Sequence, residues 1–195
     1  MILFLKIGAR LCAGACVAAF AAGCVTTEKK GDVTLYHSNG VSFAGPAMPG
    51  YGLVFPAVDL GRAGEQVIRV RDLPTPIFPE FGDIDVPKKE DDNYAADQPW
   101  RRVRLVITYR TPEGKVFYKR RVDLRDWNGG SSPGKGSSRR SIGVRVSPWD
   151  GLESDAHPLL FLNYDLVVDV VRPSLRATDR MTLDAFTPEM RAARN

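Results

Sequence analysis

Residues 159–171, LLFLNYDLVVDVV, form the longest apolar run beyond the amino-terminal segment. The even positions Leu160, Leu162, Tyr164, Leu166, Val168 and Val170 are all apolar, while Asn163, Asp165 and Asp169 fall on odd ones. Side chains of a strand alternate between two faces, so a period of two reads as a strand with one face in the core. The core face is unbroken over the whole run, which predicts a central strand. Pro173 ends it, because proline has no N–H to give to a ladder.

Working outward, residues 101–124 carry the same period twice. Val103, Leu105, Ile107 and Tyr109 share one face, with Arg102 and Arg104 on the other. Thr111-Pro112-Glu113-Gly114 is a turn sequence, with proline early and glycine to supply positive φ. Beyond it Val116, Tyr118, Val122 and Leu124 face one way, and Phe117, Lys119, Arg121 and Asp123 the other. This predicts a β-hairpin. Further strands are expected at 33–37, at 51–60 with a break at Pro56, at 66–71, at 142–146 and at 181–186. In the third of these Ile68 and Val70 alternate with Arg69 and Arg71.

Residues 72–99 are different. They hold Pro74, Pro76, Pro79, Pro87 and Pro99, show no sustained period, and read as a long loop. Residues 128–138 are rich in Gly and Ser and read as a flexible loop. Thr187-Pro188 has the form of a helix cap followed by proline at the first helical position, which predicts a short C-terminal helix. With 18 Gly, 14 Pro and no long helical period, the chain reads as mainly β. The expected fold is an antiparallel β-sandwich, immunoglobulin-like or similar, with long loops and one domain over residues 33–195. The pattern Tyr164-x-Leu166-x-Val168-x-Val170 before a proline resembles strands of immunoglobulin-like sandwiches, and carries no function by itself.

The amino terminus supplies an address. Lys6 and Arg10 precede the uncharged residues 11–23, a run suited to the apolar core of a secretory signal and too short for a membrane-spanning helix. It closes on Ala21-Ala22-Gly23-Cys24. This resembles the lipobox of bacterial lipoproteins, with Ala21 where Leu or Val is usual. The resemblance implies that residues 1–23 are removed and that Cys24 is acylated, anchoring the protein to a membrane. An Ala-x-Ala site at Ala19-Phe20-Ala21 would instead suit ordinary signal peptidase. Cys12 and Cys16 leave with the signal, so the mature chain keeps Cys24 alone and no disulfide is expected. In the lipoprotein family Asp after the cysteine commonly retains the protein in the inner membrane. Val25 therefore implies the periplasmic face of the outer membrane. Polar residues 24–32 read as a tether. The mature chain as a whole resembles uncharacterised sandwich-type lipoproteins of proteobacteria.

Charge and motifs exclude more than they include. Loss of Lys6 and Arg10 takes the formal charge from +4 to +2, which gives little support for nucleic-acid binding. Residues 129–135 fit G-x-x-x-x-G-K, but Gly136 stands where a P-loop needs Ser or Thr and a strand follows. There are two histidines, His37 and His157, and no G-x-S-x-G turn, so no catalytic set is expected. Asp83, Asp85, Glu90, Asp91 and Asp92 lack the spacing of a calcium loop. No metal, cofactor or enzymatic activity is expected.

Two candidate partner-binding surfaces remain. One is a basic sheet face made by Arg69, Arg71, Arg102, Arg104, Lys119, Arg121 and Arg145. The other is the aromatic content of the 72–99 loop, with Ile77, Phe78, Phe81 and Tyr94, which would suit a protein interface or else cover one end of the sandwich. Trp100, Trp127 and Trp149 stand at strand ends and read as packing residues. The leading expectation is a non-catalytic periplasmic module that binds a protein, in envelope assembly or toxin immunity. The alternative is a module that binds an envelope lipid or glycan through the basic face.

Overall fold

A computed structural model describes residues 25–38, 50–87, 99–126, 131–133, 139–148 and 161–186. Within them lie twelve strands: β1 Val25–Lys30, β2 Val33–Ser38, β3 Gly50–Val54, β4 Val58–Asp59, β5 Gly64–Val70, β6 Phe81–Pro87, β7 Arg104–Arg110, β8 Val116–Asp123, β9 Ser131–Pro133, β10 Arg139–Arg145, β11 Tyr164–Arg172 and β12 Arg180–Phe186. A 3₁₀ turn at Pro99–Arg102 precedes β7. One sheet has eight strands in the order β1-β2-β3-β12-β6-β10-β9, with β4 also on β12. The other has four, β5-β11-β7-β8. All pairings between named strands are antiparallel, and the two sheets enclose one apolar cluster. The fold is a β-sandwich.

β11 is central to its sheet, between β5 and β7. Tyr164, Leu166, Val168 and Val170 are all fully buried, as their spacing predicts. The register shift at the far end, between Val170 and Arg172, leaves Val171 exposed. The β7–β8 hairpin turns at residues 111–115. There the Thr111 and Gly114 amides donate to the carbonyls of Lys115 and Thr111, each at 2.8 Å, and Gly114 takes φ 91°. The strand broken at Pro56 is β3 followed by β4. Both lie on β12, on either side of the proline.

Three segments differ from expectation. Residues 81–87 belong to β6, an interior strand between β12 and β10, and not to a loop. Residues 25–30 are not a tether: they form β1 and pair along their whole length with β2. Residues 181–186 belong to β12 as expected, with β3 and β4 along one side and β6 along the other. Part of the Gly/Ser-rich stretch, residues 131–133, pairs as β9 with β10. The expected C-terminal helix, and residues 1–24, lie outside the described residues.

The sheets are stitched at one margin. Gly31, in the β1–β2 turn, bridges Val70 at the end of β5. The Asp32 amide donates to the Arg69 carbonyl at 2.8 Å, and the Arg69 amide to Asp32 Oδ2 at 2.8 Å. Gly31 has φ 71°, and a Cβ there would stand 2.4 Å from the Arg69 carbonyl oxygen, so only glycine fits. Gln66 makes a second stitch. Its amide oxygen accepts from the Asp59 N–H at 2.8 Å while its amide nitrogen donates to the Asp59 carbonyl at 2.7 Å. One side chain thus extends the ladder from β5 to β4.

One end of the core is aromatic. Phe78 packs on Tyr109, Phe117, Phe161 and Tyr164, with ring centroids 4.8–6.4 Å apart. Tyr164 donates its hydroxyl to the Ile77 carbonyl at 2.7 Å, whereas the buried Tyr109 hydroxyl finds no partner among the described residues. Burial pushes both phenols well above their ordinary value near 10. They stay neutral in the fold where an unfolded chain would ionise, so stability holds below about pH 10 and falls as pH rises beyond it. Tyr109→Phe is expected to flatten that fall and to leave stability at pH 7 unchanged or slightly higher. Tyr164→Phe is expected to lower it by about 1 kcal/mol, since it orphans the Ile77 carbonyl. Urea titrations at pH 7 and across the alkaline range read both effects.

Candidate functional site

The eight-stranded sheet runs past the four-stranded one at the stitched margin, and that overhang builds the site. Register places Thr26, His37 and Tyr51 in one row across β1, β2 and β3, with Glu28, Leu35 and Leu53 in the next such row. This is the core-facing side, since Val33, Leu35 and Leu53 are buried. At β1 the opposing sheet no longer covers it, so β1 presents the polar side chains of Thr26, Glu28 and Lys30 where a core strand would present apolar ones. The chain leaving β5 crosses over this face, and Asp72 and Pro74 form the opposite wall. The result is an open groove of about 250 Å³ lined by Thr26, Glu28, Lys30, Leu35, His37, Tyr51, Asp72 and Pro74.

The groove is amphipathic. The His37 ring stacks on Tyr51, centroids 4.7 Å apart and 20° from parallel. Lys30 Nζ pairs with Glu28 at 2.9 Å. Asp72 holds φ 52°, a left-handed conformation that aspartate tolerates better than most residues, and its amide donates to Asn163 Oδ1 at 3.0 Å. Among the described residues no group of three His, Cys, Asp or Glu side chains is placed to hold a metal ion, and no helix is long and apolar enough to cross a membrane.

The expected basic face is largely neutralised from within. Arg71 donates to Asp165 Oδ1 at 2.7 Å and to the carbonyls of Val70 and Tyr164 at 2.8 and 2.9 Å. Arg110 approaches the other oxygen of Asp165 at 3.4 Å. Arg69 pairs with Asp32 at 3.6 Å. Arg104 and Arg125 share Asp123 at 2.7 and 2.8 Å. Arg102 is half-buried in the 3₁₀ turn and not on a strand. Arg145 lies on β10, in the other sheet, so it does not join this face. Lys119 and Arg121 remain exposed on β8.

The aromatic surface is corrected more sharply. Ile77 and Phe78 are core residues, 3% and 5% exposed, and they close one end of the sandwich. Phe81 is exposed, on the outward side of β6. Tyr94 lies outside the described residues, as do Cys24, His157, Glu90, Asp91, Asp92, Trp127 and Trp149. Asp83 and Asp85 are exposed on β6. Trp100 is buried, with the Arg101 guanidinium 5.0 Å from its ring centre. No protein-family model, curated protein or solved structure matches this chain.

Proposed function

We propose that this chain is a lipid-anchored, non-catalytic module of the bacterial envelope, held through acylated Cys24 on the periplasmic face of the outer membrane, and that it binds a protein. The observation that carries this reading is the free edge of β1 beside the groove. Among the described residues β1, β9, β5 and β8 end the two strand orders, β4 lies on β12 alone beside Gln66, and three of the four end strands are guarded. β9 has three residues. β8 carries Lys119-Arg120-Arg121 and a register shift opposite Tyr109 and Arg110. β5 is covered at one end by the Gly31 bridge. Short length, charge, bulges and cover are the usual devices against strand addition. β1 has six residues and pairs with β2 without a register shift; its turn end carries Glu28-Lys29-Lys30 and the Lys30 carbonyl accepts from the Arg71 amide at 3.4 Å, but among the described residues no strand pairs with its outer edge. An extended polypeptide adding there would gain main-chain hydrogen bonds from the edge and side-chain contacts from the groove.

Photo-crosslinking in intact cells tests this. A photoreactive residue at Thr27 or Glu28 is expected to trap one discrete protein adduct, and one at Lys119 or Arg121 none. Adducts to lipid or glycan from Lys119 and Arg121, with none from β1, would overturn the reading in favour of the basic-face alternative.

A further inference from the structure

The usable edge of β1 is shorter than the strand. The Arg71 amide donates to the Lys30 carbonyl at 3.4 Å, so the main chain of Lys30 points away from β2. Such directions alternate along a strand, so Glu28 and Thr26 point outward as well, and Val25, Thr27 and Lys29 point to β2. With Lys30 already used, Glu28 and Thr26 are left to hold an added strand. So short a ladder makes the side chains in the groove decisive. We infer that the groove takes a cationic side chain, lysine or arginine, from the residue of an extended partner segment that lies opposite Glu28. The inference rests on the strand addition proposed above and names the chemistry of what is added.

Residues directly opposite each other in a ladder share a face. Glu28 lines the groove, so the residue opposite it does too. What that residue meets is a surplus of negative charge. Lys30 Nζ is cancelled by Glu28 at 2.9 Å, and its side chain is only 17% exposed. Among the described residues Asp72 makes no ion pair, because its neighbour Arg71 is directed to Asp165 and to the carbonyls of Val70 and Tyr164. The Asp72 main chain is held by its amide bond to Asn163 Oδ1 at 3.0 Å, which fixes the carboxylate on the wall facing β1. Leu35, the stacked His37 and Tyr51 rings and Pro74 supply apolar surface. That surface suits the methylene stem of lysine or arginine, and an aromatic face attracts the charged head. At about 250 Å³ the groove falls below the roughly 300–1,000 Å³ of small-molecule sites and fits one long side chain. An acidic side chain would oppose Glu28 and Asp72 together.

Peptide titration tests the charge preference. The probe is a heptapeptide of alternating threonine and valine whose central residue is lysine, arginine, norleucine or glutamate, carrying an uncharged fluorophore. It is titrated with the full acylated chain in dodecyl maltoside, and anisotropy is read. The lysine and arginine peptides are expected to bind about tenfold more tightly than the norleucine peptide, and the glutamate peptide more weakly than all three. Asp72→Asn is expected to cut the preference to about threefold or less and to leave norleucine binding unchanged. Asparagine accepts φ 52° as aspartate does, and the bond to Asn163 comes from the main chain, so the variant keeps the fold. Asp169→Asn, on β11 of the other sheet, is the control for general charge and is expected to change nothing. Norleucine binding as tightly as lysine, or a preference that survives Asp72→Asn or falls equally with Asp169→Asn, overturns the cation site and leaves strand addition standing. Binding of none of the four peptides overturns strand addition itself, and the cation site with it.

Discussion

Asp165→Ala is expected to lower stability by about 3–5 kcal/mol, read as a fall in urea midpoint at unchanged slope, because it strips the counter-charge from two arginines at once. Asp165 sits on the outward side of β11, yet its side chain is only 10% exposed. The reason is the roof over it: Arg71 comes from the chain just after β5 and Arg110 from the end of β7, each from a neighbouring strand. Arg71 cannot leave without giving up its bonds to the Val70 and Tyr164 carbonyls. Arg110, at 3.4 Å and with a third of its side chain exposed, can rehydrate. The loss is therefore expected near the lower end of the range, with Arg71→Ala more damaging than Arg110→Ala. A loss below about 1 kcal/mol would place the cluster among ordinary surface pairs and refute its structural role.

The same cluster explains what sequence reading reaches. The alternation identified the core-facing positions of β5, β7 and β11, because a strand's period is local, but in β8 the register shift puts Val116 outside and turns Phe117 into the aromatic core, and Arg102 falls in the 3₁₀ turn. The alternation was silent on charge balance, since Asp32, Asp123 and Asp165 approach their arginines from other strands or turns. β6 went unread for a different reason. Its even positions begin with Gly82, its odd ones include Asp83 and Asp85, Pro79 precedes it and Pro87 ends it, so the apolar signal reduces to Ile84 and Val86. β1 looked like a tether because its core-facing side chains are Thr26, Glu28 and Lys30. A strand whose inner face is uncovered has no apolar period to display. The groove was hidden by the same fact, and further because it joins residues 26–37 to 51 and to 72–74. Ile77 and Phe78 cover one end of the sandwich, the second of the two roles open to them in the sequence, and the loop reading supplied no period by which to choose between the two.

Gly61→Ala is expected to cost about 3 kcal/mol, at the upper end of what an added methyl does in a packed site. A Cβ at Gly61 would lie 2.5 Å from the Ala177 Cα, 2.6 Å from its carbonyl oxygen and 2.7 Å from its carbonyl carbon, all of them backbone atoms. Backbone yields only if its own bonds allow it, and here they do not. The Ser174 amide donates to the Leu60 carbonyl at 2.9 Å and the Leu60 amide to the Asp179 carbonyl at 3.0 Å, which clamps the connection from β11 to β12 on both sides of Ala177. Ser174 Oγ binds Asp179 Oδ2 at 2.6 Å inside that connection. Arg180 Nη1 reaches Asp59 Oδ1 and the carbonyls of Ala177 and Asp179, all between 2.8 and 2.9 Å. Gly82 supplies the control. A Cβ there meets the Met181 sulfur at 2.5 Å, its Cγ at 2.8 Å and the Leu183 Cδ2 at 3.0 Å, all atoms of side chains, which shift at less cost than backbone even where, as here, they are buried. Gly82→Ala is therefore expected to cost less than half as much in the same denaturation assay. If the two substitutions cost the same, the clamp around Ala177 is not what makes Gly61 intolerant.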